Sequence, residues 1–257
     1  MFFGYKKRKL DVTADEQKEM RYWEVSPFES PKCDSMEYLL YKIGDAMVFW
    51  EKVCQYRQLF ESAERIIEIG AGQCYASCVV KRAWPLKTLV ATDLAKSAIE
   101  AAPRWEQVFA VELNGKYVCR SHQIPVRDES MDLAFCFQSA HHFIHHRRTL
   151  MELKRVLRPG GNALYLHEPG CQRWSHGLAW YHMSRKRPEV PEDALVYSRI
   201  LSLAKEAGFQ SKVIFAPTAT HKKPMEALYH STLKRVNLLR RILPCIVDFV
   251  CTKPLTD

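Results

Sequence analysis

The chain has 257 residues, of which 47% are hydrophobic and 26% charged, so it can bury one sizeable core. No apolar run approaches the roughly 20 residues that a membrane-spanning helix needs, and a basic cluster follows the very short apolar start, which is the reverse of a secretory signal. The formal charge of +9 favours binding to nucleic acid, anionic lipid or an acidic substrate but selects none of them.

The cysteines, like the pattern of the first residues, indicate the cytoplasm. There are nine of them, an odd number, and no two are arranged as Cys-x-x-Cys. This pattern fits reduced thiols better than a disulfide framework or a zinc site. We therefore expect a cytoplasmic protein; its oligomeric state does not follow from the sequence.

Residues 1–60 are rich in charged and aromatic side chains and are predicted to form a helical extension. From Ser35 to Phe60 the apolar residues recur at helical spacing, which indicates one or two helices. The extension precedes a main domain, expected over residues 61–257.

Short runs rich in β-branched and aromatic residues then alternate with helical stretches. The predicted strands are Arg65–Ile69, Thr88–Thr92, Tyr117–Ser121, Met131–Phe137 and Asn162–His167. Helices are expected near residues 74–83, 95–101 and 147–157. This alternation predicts an α/β fold with a mostly parallel sheet and helices on both of its faces.

After the fifth strand the pattern changes, and residues 170–197 are predicted to be an insertion on the substrate side. Its stripe Trp174, Leu178 and Tyr181 has helical spacing, which favours a helix core over an aromatic platform for substrate. The insertion is followed by a predicted helix, a strand, a basic helix and a last strand, at Tyr197–Ala207, Ser211–Phe215, Met225–Leu243 and Ile246–Thr252.

The basic helix, residues 225–243, interleaves leucines with lysines and arginines. It could lie on membrane headgroups or on an acidic surface, although a solvated basic face is the favoured interpretation.

The strongest motif is a glycine turn after the first strand. In Glu68-Ile69-Gly70-Ala71-Gly72 two glycines let the backbone turn sharply and approach a ligand closely. A dinucleotide-binding turn usually has a third glycine where this chain has Tyr75, which weakens a nicotinamide-cofactor interpretation.

Asp93 ends the second strand, where its carboxylate can accept hydrogen bonds from both hydroxyls of a ribose. An acidic residue at the end of each of two neighbouring strands, with the exposed backbone of the turn, suits a ligand that has a ribose and an amino-acid tail but no phosphate. An ordinary helix cap is the alternative role for Asp93.

With these residues the chain resembles the class I S-adenosylmethionine (SAM)-dependent methyltransferases, of the small-molecule or glycan, methyltransferase type 11-like kind. Besides the turn and Asp93, the similar segments are Ile124–Leu133, Ser139–Phe143 and Glu152–Gly161, so the resemblance covers residues 65–169 well. It implies a Rossmann-like sheet of seven strands and the use of SAM with release of S-adenosyl-L-homocysteine (SAH).

The resemblance also implies which residues hold the cofactor. They are Glu68, Gly70, Ala71, Gly72 and Asp93, with Leu94 beside the adenine and Gln138 near the methionine portion. Where the family often has an acidic residue for the adenine amine, this chain has Arg120-Ser121-His122-Gln123, so His122 or Gln123 is the candidate there.

Histidines and a glutamate follow two strand ends and are the candidates for catalysis. His141 and His142 come after the fourth strand, and His167 and Glu168 end the fifth, so all four are expected to line the crevice. Either His167 or Glu168 is expected to remove the acceptor's proton or to position the acceptor. No metal is expected, because no matching cysteine or acidic pattern lies near the histidines in the sequence.

The function that fits best is SAM-dependent methylation of a small molecule or glycan, most readily on oxygen. The motif Phe137-Gln138-Ser139-Ala140 differs from the Asn-Pro-Pro-Tyr type that methylates base nitrogen. An RNA-directed methyltransferase, suggested by the charge, and a non-catalytic subunit that binds a partner protein remain the alternatives.

Overall fold

The computed structural model describes residues 13–26, 30, 33, 35–186, 192–218 and 224–255. The predicted extension is therefore described from residue 13 onward, and residues 187–191 of the predicted insertion lie outside the described part.

In the described residues eight strands form one sheet. They are β1 Arg65–Ile69, β2 Thr88–Asp93, β3 Gly115–Val118, β4 Met131–Phe137, β5 Leu157–Cys171, β6 Leu195–Val196, β7 Gln210–Phe215 and β8 Cys245–Thr252. The helices are α1 Ala14–Val25, α2 Met36–Gln55, α3 Arg57–Ser62, α4 Tyr75–Ala83, α5 Lys96–Glu100, α6 Ala102–Phe109, α7 His146–Val156, α8 His176–Lys186, α9 Tyr197–Glu206, α10 Pro224–Arg235 and α11 Asn237–Ile242. Short 3-10 turns follow β4, at Ala140–His142, and precede α8.

The strand order is β3-β2-β1-β4-β5-β8-β7, with β6 paired to β5. All pairs are parallel except those of β8, which is antiparallel to β5 and β7. The chain leaves β1 toward β2 and β3 and then returns to β4 on the other side of β1. At such a reversal the connections diverge and leave a crevice beyond the carboxyl ends of β1 and β4.

The Rossmann-like fold is confirmed, with one strand more than predicted. The two-residue β6 is too short to leave a pattern in the sequence. Strand β3 begins two residues before the prediction, at Gly115, and the basic helix is two helices rather than one. The break lies at Val236, whose backbone is extended, a conformation that suits a β-branched residue.

The sheet is buried on both faces, because successive residues of its central strands point to opposite sides. Ile66 and Phe135 belong to one core cluster, and their neighbours Ile67 and Ala134 belong to the other. The first cluster also includes Phe49 of α2, whose ring stacks on that of Phe135 with centroids 5.4 Å apart. The N-terminal helices thus share the core of the sheet.

A buried ionic cluster ties α2 to the sheet. Asp248 of β8 is 0% exposed, and its Oδ2 accepts hydrogen bonds from Lys52 Nζ and Tyr56 Oη, each at 2.8 Å. Its other oxygen accepts the backbone N–H of His167 at 2.8 Å. Because the carboxylate is paired with a cation and fully hydrogen-bonded, its burial is tolerated, and it fixes the backbone at the end of β5.

The predicted core role of the insertion's stripe is wrong. Trp174, Leu178 and Tyr181 are 68%, 55% and 50% exposed, and α8 buries Ala179 instead. The spacing was helical, but the helix turns this face outward. Among the described helices, none is long and apolar enough to span a bilayer.

Candidate functional site

A cavity of about 320 Å³ lies at the carboxyl ends of β1, β2, β4 and β5, a size within the range typical of small-molecule sites. It is open to solvent, and α1 and α2 form its other side. The predicted site residues on its wall are Glu68, Gly70, Ala71, Gly72, Asp93, Gln138, His141, His142 and His167.

The glycine turn has the left-handed backbone that the sequence implied. Gly70 has φ +63° and Gly72 has φ +52°, a region that side chains disfavour. A Cβ on Gly70 would lie 2.7 Å from Ser139 Oγ, and one on Gly72 would lie 3.0 Å from the ring of Trp23. The turn therefore has no room for side chains where it faces the cavity.

Asp93 braces the turn from the neighbouring strand. Its Oδ2 accepts the N–H of Gly72 at 2.8 Å, and its Oδ1 accepts the N–H of Ala95 at 2.7 Å. Each carboxylate oxygen retains a further lone pair for a ligand hydroxyl. Burial raises the pKa of Asp93, and these backbone hydrogen bonds partly offset the rise.

Glu68 is buried beneath the turn and binds the start of α4. Its Oε2 accepts the N–H of Ser77 at 2.9 Å and the hydroxyl of the same serine at 2.5 Å. Burial raises its pKa to about 8, so the protonated form is favoured at neutral pH. Its contacts make it a support of the turn that also reaches the cavity wall.

Two residues other than glycine hold a left-handed backbone beside the cavity. Gln138, after β4, has φ +52°, and His167, within β5, has φ +60°. Such conformations cost roughly 1–3 kcal/mol each and persist where the surroundings enforce them, often at functional sites. For His167 the enforcing contact is the hydrogen bond from its N–H to Asp248.

Glu168, which was predicted as an alternative to His167 for removing the acceptor's proton or positioning the acceptor, does not face the cavity. It is 0% exposed, and its Oε1 accepts the N–H groups of Ser139 and Ala140, each at 2.9 Å. Its Oε2 accepts the N–H of His141 at 3.2 Å and lies 2.8 Å from Nδ1 of the same histidine. With both oxygens occupied, Glu168 is placed to orient His141 and not to take up a proton itself.

His141 is therefore the imidazole whose orientation is fixed at the cavity wall. A proton on Nδ1, shared with the Glu168 carboxylate, leaves the lone pair of Nε2 available. His142 lies beside it, with ring centroids 4.1 Å apart. His167 lines both this cavity and a neighbouring one beside α2.

The predicted adenine side is a smaller recess that shares Gly70 and Asp93 with the main cavity. Leu94 and His122 line it, as expected, whereas Gln123 is exposed and is not among its lining residues. The Gln123 alternative is thus the one that the fold does not bring to the site, because its side chain points to solvent on the turn after Ser121.

The helix α1 belongs to the predicted helical extension, although its bounds were not predicted, and it covers the cavity. Glu19, Tyr22 and Trp23 line it, and Glu16 is bound by Arg120, with Nε to Oε1 at 2.5 Å and Nη2 to Oε2 at 2.9 Å. The Arg120 hydrogen bond lowers the pKa of Glu16 to about 2. Arg120 therefore anchors a helix at the place where the family often has an acidic residue.

A sequence signal for α1 does exist. Thr13 and Glu16 form a capping box, in which each side chain bonds the backbone N–H of the other residue.

Burial, together with Asp93, Glu16 and Glu192, raises the pKa of Glu19 to about 8.

The central part of the chain matches known methyltransferases. Residues 67–165 match a family model described as a methyltransferase domain. The phthiotriol/phenolphthiotriol dimycocerosates methyltransferase 1 of Mycobacterium ulcerans is 28% identical over 105 residues, 40% of this chain and 37% of that protein. The uncharacterized methyltransferase YcgJ of Bacillus subtilis is 28% identical over 100 residues, 39% of each chain. These alignments thus span under two fifths of either relative.

Solved structures resemble the whole fold. The geranyl diphosphate C-methyltransferase of Streptomyces coelicolor, in complex with Mg²⁺, geranyl diphosphate and SAH, superimposes with a TM-score of 0.67 at 12% identity, covering 94% of this chain and 99% of that one. The YcgJ structure gives 0.56 at 18% identity, covering 74% and 92%. The expected resemblance is confirmed: residues 67–165 match a methyltransferase domain, and the fold is similar to that of solved methyltransferases.

Proposed function

We propose that this chain, which has a class I SAM-dependent methyltransferase domain, binds SAM in the cavity and transfers its methyl group to an oxygen of a small-molecule or glycan acceptor. The observation that carries the proposal is that His141, paired with the buried Glu168, lies on the same cavity wall as the glycine turn and Asp93.

The residues on the wall fit the parts of the cofactor. The carboxylate of Asp93 would accept the ribose hydroxyls, the backbone at Gly70–Gly72 would meet the amino-acid tail, and Leu94 and His122 line the recess for the adenine. Gln138, at the end of β4, would lie near the methionine portion. When bound, SAM supplies a methyl group on a positively charged sulfur, which leaves as a neutral thioether.

The protein then has two tasks, to align the acceptor and to remove its proton. An alcohol holds its proton at neutral pH, so a correctly placed base accelerates the transfer by typically about 100- to 10,000-fold. His141 Nε2 is assigned this task, with Glu168 as the residue that positions it. His142 and His167 are placed to contact the acceptor.

The site disfavours both alternatives. Asp45 and Glu192 on the cavity wall would repel the phosphates of RNA, although the chain as a whole is basic. A non-catalytic subunit would be favoured by a crevice filled with side chains, and this crevice is open.

The test is an SAH-release assay across four acceptor classes: sugars, phenols, quinones and RNA. We expect release with at least one hydroxylated small molecule or glycan, and none from Asp93→Ala protein that is still folded by circular dichroism. Labelling of RNA alone, with a steep loss of affinity as salt rises, would replace this proposal with the RNA-directed one. Release with none of the four, from protein that binds SAH, would contradict catalysis on these acceptors.

A further inference from the structure

We infer that His141, His142 and Glu192 form a binding site for a divalent transition-metal ion on the acceptor side of the cavity. Each residue offers one ligand atom, and these atoms lie within 4.8 Å of one another. His142 Nε2 is 4.0 Å from Glu192 Oε1. Ligand atoms at about 2.0–2.2 Å from a tetrahedral ion lie about 3.4 Å apart, so binding would draw these atoms together by up to about 1.4 Å.

The two histidines are adjacent in sequence, and the fold brings Glu192 to them. The histidines lie on the 3-10 turn after β4, and Glu192 lies on the segment before β6. A backbone hydrogen bond from Asp193 N–H to the carbonyl of His141, at 3.0 Å, holds that segment against the turn. Asp193 is itself bound to His176 Nε2 of α8 at 2.6 Å. These hydrogen bonds of Asp193 thus hold the backbone next to Glu192 in place beside the two histidines.

One of the ligands has the supporting contact that metal-binding histidines usually show. Such histidines donate their second ring N–H to a carboxylate or carbonyl, which fixes the ring and its tautomer. The fully buried Glu168 accepts this hydrogen bond from His141 Nδ1, so Nε2 is the atom left for an ion.

The ligand set defines the class of ion. Two imidazoles and a carboxylate suit Zn²⁺, Co²⁺, Ni²⁺ or Fe²⁺, whereas Mg²⁺ and Ca²⁺ prefer oxygen ligands alone. Three protein ligands leave a coordination position open, as in catalytic zinc sites. All three residues line the cavity, so the open position faces the space where the acceptor would bind.

The effect of the ion on methyl transfer rests on the proposed function. The Nε2 lone pair of His141 holds either a proton or an ion, so base catalysis and ion binding exclude each other there. With the ion bound, the acceptor oxygen would be its fourth ligand, and the hydroxyl proton would pass to water as the methyl–sulfur bond breaks and the methyl–oxygen bond forms.

The test is a Co²⁺ titration of tag-free protein, followed by visible d–d absorption. We expect one equivalent to bind, and Glu192→Gln and His142→Ala to weaken binding by more than the about 10- to 100-fold that loss of a supporting contact costs. His182→Ala, which removes an exposed histidine of α8, should bind as the wild type does. Cys54→Ser should also leave binding unchanged and serves to exclude the exposed thiol as a ligand.

Two results would overturn the inference: no stoichiometric binding by the wild type, or unchanged binding by both the Glu192→Gln and His142→Ala proteins, each verified as folded by thermal unfolding. Methyl transfer is measured on the same samples. Methylation without ion binding would leave the proposed function standing and remove the ion site. If the wild type binds the ion, the variants do not, and no acceptor is methylated, the ion site would stand and the proposed function would be removed.

Discussion

At the scale of single residues, the site depends on Glu168, which orients His141 and does not take up a proton itself. Its carboxylate accepts hydrogen bonds from three backbone N–H groups and from the ring of His141. The negative charge of Glu168 therefore stabilises the turn after β4 and one imidazole. The residue of the pair that lines the cavity is therefore His141. A buried carboxylate that orients a histidine in one tautomer is a common way to prepare a base.

Replacing His141 by Asn should lower kcat by about 100- to 10,000-fold, because the acceptor hydroxyl loses its base. The Kd for SAH should stay within a few-fold of the wild-type value, since His141 does not line the recess assigned to the adenine. Steady-state kinetics and calorimetry measure the two quantities. His182→Asn is the matched control, and a turnover of His141→Asn equal to that control would refute the assignment.

The sequence predicted the end of β4, which His141 follows, but not that of β5, because this strand continues past the predicted end at His167 to Cys171. It did not reveal that Glu168 pairs with His141 or that Glu192 approaches both histidines. Those contacts depend on side-chain direction and on the course of the segment before β6. Neither property leaves a periodic signal in the sequence.

At the scale of elements, α1 is the helix of the predicted extension whose bounds and place over the cavity were not predicted. It covers the cavity, and its Glu19 faces three other carboxylates, those of Asp93, Glu16 and Glu192. The raised pKa means that the packed helix favours protonated Glu19. The stabilisation from this proton is therefore complete below the ordinary carboxyl pKa of 4.5 and falls as the pH rises from there through about 8, above which the ionised group repels its neighbours.

We expect the Kd of the wild type for SAH to rise between pH 7 and pH 9 more than that of Glu19→Gln, whose side chain cannot ionise. Titration calorimetry at the two pH values measures this, and the amino group of SAH titrates equally with both proteins. Parallel pH dependence of the two proteins would show that Glu19 does not control the cover.

Regular elements were easier to predict than their interruptions. Strands β1 and β4 have the predicted bounds, because a buried strand requires a continuous apolar run. The basic helix is broken at Val236, and β6 is an addition of two residues. Both depend on tertiary packing, and the outward-facing stripe of α8 shows that helical spacing alone does not say which face is buried.

At the scale of the whole molecule, one topological fact places the site. The strand order reverses between β1 and β4, and the glycine turn, Asp93 and the His141–Glu168 pair all lie at that reversal. The net charge of +9 does not describe this crevice, whose wall carries several carboxylates. Composition therefore said less about the ligand than the order of strands does.

The central claim is that the turn and Asp93 hold the nucleoside and the amino-acid tail of SAM. Calorimetric titration of SAH into the wild type and into Asp93→Ala tests it most directly. We predict one site in the wild type and an affinity at least about tenfold lower in the variant, because a hydrogen bond to a charged group is worth about 1.5–3 kcal/mol. No heat with either SAM or SAH, in wild-type protein shown to be folded, would contradict the claim.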